Sequence, residues 1–418
     1  MKEVKSQYND WPYPEPIHDL KEKISEGFFY DLHLNRFKKI IFPEGKDYTS
    51  ADVLIAGCGT NQALYYALSY PEMNIFGIDL SKESIAHNQK MIKKYKIKNL
   101  KVEQKDIFDL KEKNKYDVIV ATGVIHHTKN PKNTIIKLSE FGKDDCAIII
   151  GIYSSYLRYG VYSLQNIFRL LNYNQTIEDL NLVKKFLNGI PDTHPSHRYI
   201  NASDDLLTDA GVIDTFLHTQ DVAFNTVELK DLIEESGLVF QSWFDNVYHY
   251  YTQYTLKNIK ENQEYYDKIY KRIEGLDFWK QAEIAHNTNF SLGMFNFILR
   301  KDKNFEFMWH NINTINQKTI IEHRPFIRVV EKGNLSLNNG GVIERQISST
   351  SKIKFNLNSK EGILWSSIND SESNKIMDIL KRANEFCLSN KIDFEFNLEY
   401  AKEFFHKMWK NGFVIFGL

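Results

Sequence analysis

The sequence predicts an α/β protein built on a doubly wound, mostly parallel sheet of seven strands. Short apolar segments alternate with helical segments from about residue 52 to residue 153, the pattern of strands joined by crossover helices. The first strand runs into a glycine turn, Gly57-Cys58-Gly59, and an acidic residue, Asp79, follows the second strand. Together these features indicate a ligand site at the carboxyl ends of the strands.

The individual elements follow from the apolar periodicity of the chain. Strands are predicted near 52–56, 74–79, 100–104, 117–121, 146–153, 239–244 and 291–300. Helices are predicted near 60–69, 82–95, 131–140 and 226–236, the last one ending at Gly237. Two stretches, about 155–225 and 248–288, interrupt this alternation, and we interpret them as helical insertions.

The polar run 301–304 is interpreted as a domain boundary between residues 1–303 and residues 304–418. Beyond it, strand-like pieces at 326–330 and 353–355 flank a loop rich in Gly and Asn at 333–341. Helices at 373–386 and 398–410 and a strand at 412–416 complete a small α+β domain. Two helices followed by a strand are similar to a winged-helix module, and a dimerisation or packing domain is the alternative.

Composition limits the classes of partner. The 418 residues carry 53 Lys and Arg against 54 Asp and Glu, a net charge of −1 that gives no general attraction for nucleic acid. The start of the chain lacks the apolar core of a secretory signal, and no apolar run reaches the length of a membrane span. The three scattered cysteines fit reduced thiols better than disulfides or a zinc site. We therefore expect a cytoplasmic protein without a membrane segment or a metal.

The glycine turn and Asp79 predict a cofactor that contains a ribose. Glycines leave backbone N–H groups at a helix start open to a ligand, and an acid after the second strand accepts hydrogen bonds from ribose hydroxyls. A dinucleotide fingerprint would place a third glycine at Gln62, so the pyrophosphate pattern is incomplete. The third strand ends in Asp106-Ile107, and the fourth ends in a turn of small residues that begins at Thr122.

With these four motifs in this order, residues 1–300 resemble the class I S-adenosylmethionine-dependent methyltransferases, which have a Rossmann-like sheet. The resemblance implies that the glycine turn passes the methionine part of the cofactor. It also implies that the acid after the second strand binds the ribose and that the Asp after the third caps the adenine amine. The cofactor-binding residues implied in this way are Gly57, Cys58, Gly59, Asp79, Leu80, Asp106, Ile107 and Thr122.

Three further segments resemble one bacterial group of this family: Pro12-Tyr13-Pro14, Gly123-Val124-Ile125-His126-His127 and Gln220-Asp221-Val222-Ala223-Phe224. Tyr13, held extended between two prolines, is expected to fold over the cofactor as a lid, although a surface clamp that buries an aromatic ring is the alternative. Asn61 stands where this group more often carries a third glycine, and Asn tolerates a positive φ better than most residues.

The implied reaction is an in-line displacement in which an acceptor atom attacks the methyl group of a sulfonium ion. Alignment of the reactants can supply on the order of 7–11 kcal/mol, so a base matters mainly for a hydroxyl or a protonated amine. His126 and His127 follow the fourth strand and Tyr153 ends the fifth, which makes these three the candidate catalytic residues. The alternative for the histidines is that they only shape the turn.

His218, Asp221 and Tyr248 are the candidate substrate contacts, and the 155–225 insertion is expected to lie over the acceptor site. Asp221 has a plainer alternative as a charge or cap at a helix N-terminus. Tyr248 and the tyrosines after it, among them Tyr251 and Tyr254, fit either an aromatic pocket or helix packing.

We therefore predict a methyltransferase that uses S-adenosyl-L-methionine and acts on an O or N atom of a small-molecule or peptide acceptor. One alternative is a cofactor-binding scaffold without catalysis, acting through residues 305–418. An RNA methyltransferase is disfavoured by charge and because Ala121-Thr122-Gly123-Val124 replaces the Asn/Asp-Pro-Pro-aromatic segment of amino-methylating enzymes. A homodimer formed through the C-terminal domain is a further expectation.

Overall fold

The structure is a computed structural model that describes residues 2–27, 33–35, 37–250, 263–290, 292–325, 327–329, 340–346, 352–369 and 373–418. Its internal contacts group the chain into two compact units that are discontinuous in sequence. The first comprises Met1–His33, Asp47–Trp243 and His286–Glu306, and the second comprises Leu34–Lys46, Phe244–Ala285 and Phe307–Leu418. The boundary between residues 303 and 304 inferred from composition stays a prediction.

The first unit is built on a seven-stranded sheet, as the sequence predicts. Its strands are β1 (Asp52–Ala56), β2 (Asn74–Asp79), β3 (Leu100–Gln104), β4 (Tyr116–Thr122), β5 (Gly142–Tyr153), β6 (Val239–Trp243) and β7 (Met294–Arg300). Their spatial order is β3-β2-β1-β4-β5-β7-β6. The first five strands pair in parallel, and β7 lies antiparallel between β5 and β6.

The order of the strands explains where a ligand binds. From β1 the chain winds outward through β2 to β3, and it then returns to place β4 on the other side of β1. Such a reversal leaves a crevice at the carboxyl ends of the two central strands. Apolar runs in β1 and β4 are buried along nearly their whole length, because helices cover both faces of a parallel sheet.

Among the described residues, helices lie before, between and after the strands. They are α1 (Lys2–Asp10), α2 (Leu20–Ser25), α3 (Lys38–Ile41), α4 (Gln62–Ser69), α5 (Lys82–Tyr95), α6 (Pro131–Phe141), α7 (Ser155–Leu170), α8 (Ile177–Gly189), α9 (His197–Ile200), α10 (Asp209–Phe216), α11 (Thr226–Ser236), α12 (Gln263–Glu274), α13 (Phe278–Asn289), α14 (Ser359–Ser366), α15 (Ile376–Ser389) and α16 (Leu398–Lys410). None of them combines the length and the apolarity that crossing a bilayer requires.

The stretch between β5 and α11 has a core of its own. Helices α7, α8 and α10 bury a shared apolar cluster that includes Leu164, Phe168, Val183, Ile213 and Phe216. This arrangement makes the predicted insertion a small helical layer attached to the sheet after β5. Helix α11 then returns the chain to the sheet; a capping box of Asn225 and Glu228 begins it, and Gly237, with φ +74°, ends it.

The second unit contains two small antiparallel sheets and helices. Strands β9 (Ile327–Val329), β10 (Gly341–Gln346) and β11 (Lys352–Leu357) form one sheet, and β8 (Ile320–His323) pairs with β12 (Val414–Gly417) in the other. The α+β character of the C-terminal residues is confirmed, whereas the winged-helix interpretation stays a prediction. Of the predicted features, Tyr251, Tyr254, Ser291, Phe326, Val330 and residues 333–339 lie outside the described residues.

Candidate active site

A cavity of about 500 Å³ lies in the first unit at the carboxyl ends of the central strands. Many residues singled out from the sequence line it. They are Tyr13, Gly57, Cys58, Gly59, Asp79, Leu80, Asp106, Ile107, Thr122, His127 and Tyr153. Five strand ends and an N-terminal segment therefore meet around one space whose volume suits a small organic ligand.

The turn after β1 requires glycine for a measurable reason. Gly57 has φ +73°, and a Cβ added to it would lie 2.2 Å from Cγ2 of Val124. Gly59 has φ +53°, and a Cβ there would approach the backbone oxygen of Tyr13 to 3.1 Å. Any side chain at these positions meets both a backbone conformation that L-residues avoid and a neighbouring atom. The turn therefore stays open on its cavity side.

Asp79 closes this turn with its carboxylate. Its Oδ2 accepts a hydrogen bond from Gly59 N at 2.8 Å, and its Oδ1 accepts one from Ser81 N at 2.8 Å. Burial raises the pKa of Asp79, while the backbone donors of Ser81 and Gly59 oppose that shift. Each carboxylate oxygen has further acceptor capacity. The residue is therefore held in place and still suited to accept hydrogen bonds from ribose hydroxyls, as the resemblance implied.

At the end of β3, Asp106 has a second local role. Its side chain accepts a hydrogen bond from Phe108 N at 3.0 Å and so begins the short 3₁₀ turn Ile107–Asp109. The aromatic side chain of Phe108 lines the cavity and is 44% exposed. A carboxylate beside an exposed ring and the Ile107 backbone fits an adenine group. With the glycine turn and Asp79, the donors and acceptors present fit an adenosyl cofactor.

The two histidines after β4 have different environments. His127 lines the cavity, and its Nδ1 is 3.0 Å from the carbonyl oxygen of Gln220, so Nδ1 carries the proton and Nε2 has a free lone pair. Burial lowers the pKa of His127, which keeps the ring neutral near pH 7, although Asp214 opposes the shift. His127 therefore has the protonation state of a general base.

His126 lies behind the cavity wall and does not line it. Its ring is fully buried and stacks on Tyr153 with a centroid distance of 3.6 Å, and its Nδ1 accepts a hydrogen bond from Tyr153 N at 3.2 Å. The 3₁₀ turn Ile125–His127 directs consecutive side chains to different sides, which separates His126 from His127. The geometry gives His126 a supporting position behind Tyr153, away from the acceptor.

Asp214 is the centre of a hydrogen-bond network at the wall of the cavity that includes Tyr8 and Tyr153. Its carboxylate accepts hydrogen bonds from the hydroxyls of Tyr8, at 2.9 Å, and Tyr153, at 3.3 Å. Burial raises the pKa of Asp214. Burial, with Asp214 as the next cause, raises the pKa values of both phenols, which therefore remain donors at neutral pH.

His218 joins this network as a donor. Gln220 N donates to its Nδ1 at 2.9 Å, so the proton of the neutral ring is on Nε2, which faces the Tyr8 hydroxyl at 3.2 Å. Burial lowers the pKa of His218 to about 2. Although His127, Asp214 and His218 come close enough to hold a metal ion, a protonated Nε2 cannot be a ligand. The cluster fits a proton-sharing network better than a metal site.

Two of the predicted substrate residues, Asp221 and Tyr248, are not among the residues that line the cavity. Asp221 is buried in an ion pair, with its Oδ2 2.8 Å from Arg158 Nη2, and Gln165 donates to the same oxygen at 3.2 Å. The Arg158 guanidinium lies 3.7 Å from the centre of the Tyr153 ring. Asp221 therefore does not line the cavity and acts behind Tyr153. Tyr248 belongs to the second unit, and its role stays a prediction.

Sequence reasoning missed Tyr8, Asp205 and Asp214, which line the cavity from α1 and from the helical layer after β5. No motif marks them, because each reaches the site through packing of a segment remote in sequence. The sequence did predict that the 155–225 insertion lies over the acceptor site. Membership of that insertion is the one feature of the sequence that could have pointed to Asp214.

Comparison with known families decides what kind of domain carries this cavity. A family model described as a methyltransferase domain matches residues 49–384, well over half of the chain. The chain belongs to this methyltransferase family. S-adenosylmethionine is the cofactor that the resemblance implied for the glycine turn, Asp79 and Asp106.

Curated relatives of this chain match only in part. An uncharacterised protein of Rickettsia prowazekii is 32% identical over 125 residues, 29% of this chain and 47% of the relative. An uncharacterised protein of Synechococcus is 23% identical over 251 residues, 58% and 60% of the two chains. A probable (S)-tetrahydroprotoberberine N-methyltransferase 2 of Papaver bracteatum is 31% identical over 99 residues, 23% and 28%. The chain thus spans between 28% and 60% of these relatives' lengths.

Solved structures confirm the fold. PKMT2 from Rickettsia typhi superposes with a TM-score of 0.64 at 16% identity, over 93% of this chain and 76% of that chain. Its structure in complex with AdoHcy gives a TM-score of 0.63 at 14% identity over the same shares. The Rossmann-like methyltransferase fold is therefore shared, with additional strands and helices toward the C-terminus.

Proposed function

We propose that this chain transfers a methyl group from S-adenosylmethionine to a nitrogen atom of an amine, carried by a small molecule or by a peptide side chain. The observation that carries the proposal is a single cavity that joins the glycine turn and Asp79 to His127, Tyr153 and Asp214. When bound, the cofactor supplies an electrophilic methyl group. A cofactor half and an acceptor half within one cavity are what such a transfer needs.

The charge of the cavity favours nitrogen over oxygen as the acceptor atom. Five acidic side chains line it, Glu15, Asp79, Asp106, Asp205 and Asp214, and Lys105 is the single Lys or Arg among its described lining residues. An acidic concave surface concentrates cations. It therefore favours an acceptor that arrives as an ammonium ion, as well as the positively charged cofactor.

The acceptor half also contains a base that fits an amine. An ammonium ion must lose a proton before its nitrogen can attack, and His127 Nε2 has the lone pair to take it. Tyr8 and Tyr153 hold the Asp214 carboxylate in place to stabilise the cation before that step. The N-methyltransferase of Papaver bracteatum among the relatives is consistent with nitrogen as the target.

The first test is calorimetric titration of the full chain with S-adenosylmethionine, AdoHcy and NAD. We expect the two adenosyl sulfur compounds to bind and NAD not to bind. In Asp79→Ala, affinity should fall about 10- to 150-fold, because hydrogen bonds to a charged group contribute about 1.5–3 kcal/mol. Asp144→Ala, an exposed carboxylate near the amino end of β5, is the matched control and should bind as the wild type does.

The second test measures turnover with cofactor labelled on the methyl group, offered with panels of primary amines, peptides containing lysine, and matched alcohols. Transfer of the labelled methyl group to the amines, with none transferred to the alcohols, would support the proposal. Labelled alcohols would transfer the assignment to oxygen, and cofactor binding without any product would leave a binding scaffold.

The location and assembly of the protein are also proposals. We propose a cytoplasmic location, which the three buried free thiols Cys58, Cys146 and Cys387 support. A homodimer through residues 304–418 is proposed from the sequence, and light scattering of the full chain tests it.

A further inference from the structure

One wall of the cavity comes from a segment that precedes the matched family region. We call residues 4–17 the N-terminal strap; Val4, Tyr8, Tyr13, Pro14 and Ile17 of the strap line the cavity. The family model begins its match at residue 49. The strap therefore adds to this site a wall that the matched region does not supply.

Asn61 fastens the strap to the glycine turn. Its side-chain Oδ1 accepts a hydrogen bond from Ile17 N at 2.9 Å, and its Nδ2 donates to the carbonyl oxygen of Glu15 at 2.9 Å. The side-chain amide of Asn61 thus forms hydrogen bonds with the backbone of two strap residues, one as acceptor and one as donor. The backbone φ of Asn61 is −124°, so the tolerance of Asn for positive φ, considered from the sequence, is not used. What the position uses is the side-chain amide, which glycine lacks.

Neighbouring contacts hold the same stretch against the turn. Thr60 Oγ1 donates to the carbonyl oxygen of Pro14 at 2.6 Å, and a Cβ on Gly59 would be 3.1 Å from Cδ of Pro14. Asn61 itself is 1% exposed, so water does not compete readily for its two hydrogen bonds. The strap and the glycine turn therefore move together or separate by breaking these bonds.

The other end of the strap reaches the acceptor side. Tyr8 donates to Asp214, and Gln7 Oε1 accepts from Gln175 Nε2 at 2.6 Å. The backbone of Tyr8 is held as well, because Ser81 Oγ donates to its carbonyl oxygen at 2.8 Å. The strap thus links the turn that borders the cofactor half to the carboxylate of the acceptor half.

We propose that Asn61 is a positioning residue that fastens the N-terminal strap over the cofactor half of the cavity, so that release of AdoHcy requires its hydrogen bonds to Glu15 and Ile17 to break. The inference rests on the proposed function for the identity of the ligand. Two hydrogen bonds of ordinary strength correspond to a change in release rate of roughly tenfold or more.

The test uses the full chain and four variants. Asn61→Ala and Asn61→Gly remove both bonds; Asn61→Asp keeps the acceptor for Ile17 N and loses the donor to Glu15. Asn74→Ala removes a side-chain amide at an exposed position at the start of β2 and serves as the control. AdoHcy release is measured by stopped-flow displacement, and hydrogen exchange of the Ile17 amide is measured without ligand. Circular dichroism and thermal melting confirm that each variant is folded.

We expect faster exchange at Ile17 and roughly tenfold or faster release in the Ala and Gly variants, intermediate release in Asn61→Asp, and no change in Asn74→Ala. Unchanged release in folded variants would overturn the proposal, even if exchange at Ile17 increases. If the wild type binds no AdoHcy, the proposed function fails, and the part of this proposal that concerns AdoHcy release fails with it. Unchanged exchange of the Ile17 amide in the Asn61 variants would then also refute the contact between Asn61 and the strap. Increased exchange would show that Asn61 holds the strap in place, although AdoHcy is not the ligand beneath it.

Discussion

The Tyr8 hydroxyl donates a hydrogen bond to Asp214 Oδ1 at 2.9 Å, although the two residues lie 206 positions apart in the chain. One belongs to the first helix and the other to the helical layer inserted after β5. The contact joins both segments at the acceptor side of the cavity.

His127→Ala should lower kcat about 10²- to 10⁴-fold and change the cofactor affinity little, because it removes a base and leaves the glycine turn intact. A base acts in its neutral form, so the wild-type rate rises with pH through the pKa of His127 and then levels off. Because burial lowers that pKa, the midpoint of the rise should lie below pH 6.5. The measurement is kcat against pH on an amine acceptor.

The matched control is His197→Ala in α9, which is outside the cavity lining and should keep the wild-type profile. An acid limb that persists unchanged in His127→Ala would assign the titration to another group and remove His127 from the proposed role.

Asp214→Asn should make the protein more stable and less active. Because burial raises the folded-state pKa of Asp214, the folded state disfavours the ionised carboxylate. That penalty is absent at low pH, where the group is protonated in both states, and it grows as pH rises through the unfolded and then the folded pKa. The melting temperature of Asp214→Asn should therefore exceed that of the wild type at pH 8 and approach it near pH 4.

Asp209→Asn tests the same substitution at an exposed position of the same helix, where the side chain pairs with Lys184. It should show no gain that grows with pH. A melting temperature for Asp214→Asn below that of the wild type at pH 8 would show that the hydrogen bonds from Tyr8 and Tyr153 outweigh the burial penalty.

Gly57→Ala should cost more stability than Gly237→Ala. The two glycines have nearly the same φ, +73° and +74°, so both substitutions carry the left-handed strain of about 1–2 kcal/mol. At Gly57 the new Cβ also meets Val124 Cγ2, whereas nothing lies within 4 Å at Gly237. Overpacking typically adds about 1–3 kcal/mol. Urea unfolding of both variants measures the difference.

The double variant Gly57→Ala/Val124→Ala provides the control, because removing the Val124 methyl groups should recover most of the clash. Equal costs at Gly57 and Gly237 would show that the turn relaxes and that only backbone strain demands glycine after β1.

Arg158→Met should destabilise the chain by roughly 3–5 kcal/mol, because it leaves the Asp221 carboxylate buried without its partner. The double variant Arg158→Met/Asp221→Leu should cost less than Arg158→Met alone, since no unpaired charge remains. A double-mutant cycle by denaturant unfolding measures this coupling. Additive costs would contradict a direct ion pair between these buried side chains.

Sequence alone identified most of the proposed cofactor residues that the structure brings to one cavity. Gly57, Asp79 and Asp106 lie at or just after the carboxyl ends of β1, β2 and β3, and the carboxyl ends of parallel strands meet at one edge, so local patterns define both the residues and their proximity. The same periodicity predicted the seven strands of the sheet. It also predicted the bounds of β1 and of α16 to the residue, because apolar repeats and caps are local signals.

The acceptor half depended on the tertiary structure. His126 and His127 are neighbours that the sequence offers together as candidates, and the 3₁₀ turn directs His127 into the cavity and His126 behind Tyr153. Asp221 belongs to the Gln220–Phe224 motif, yet its carboxylate forms a buried ion pair with Arg158. Tyr8 and Asp214 belong to no motif, yet they form a hydrogen bond although they are 206 positions apart. Local propensity and spacing determine strands, turns and the residues at their ends. Which distant side chains share a buried space is decided by how the helical layer and the strap pack, and that depends on the whole set of tertiary contacts.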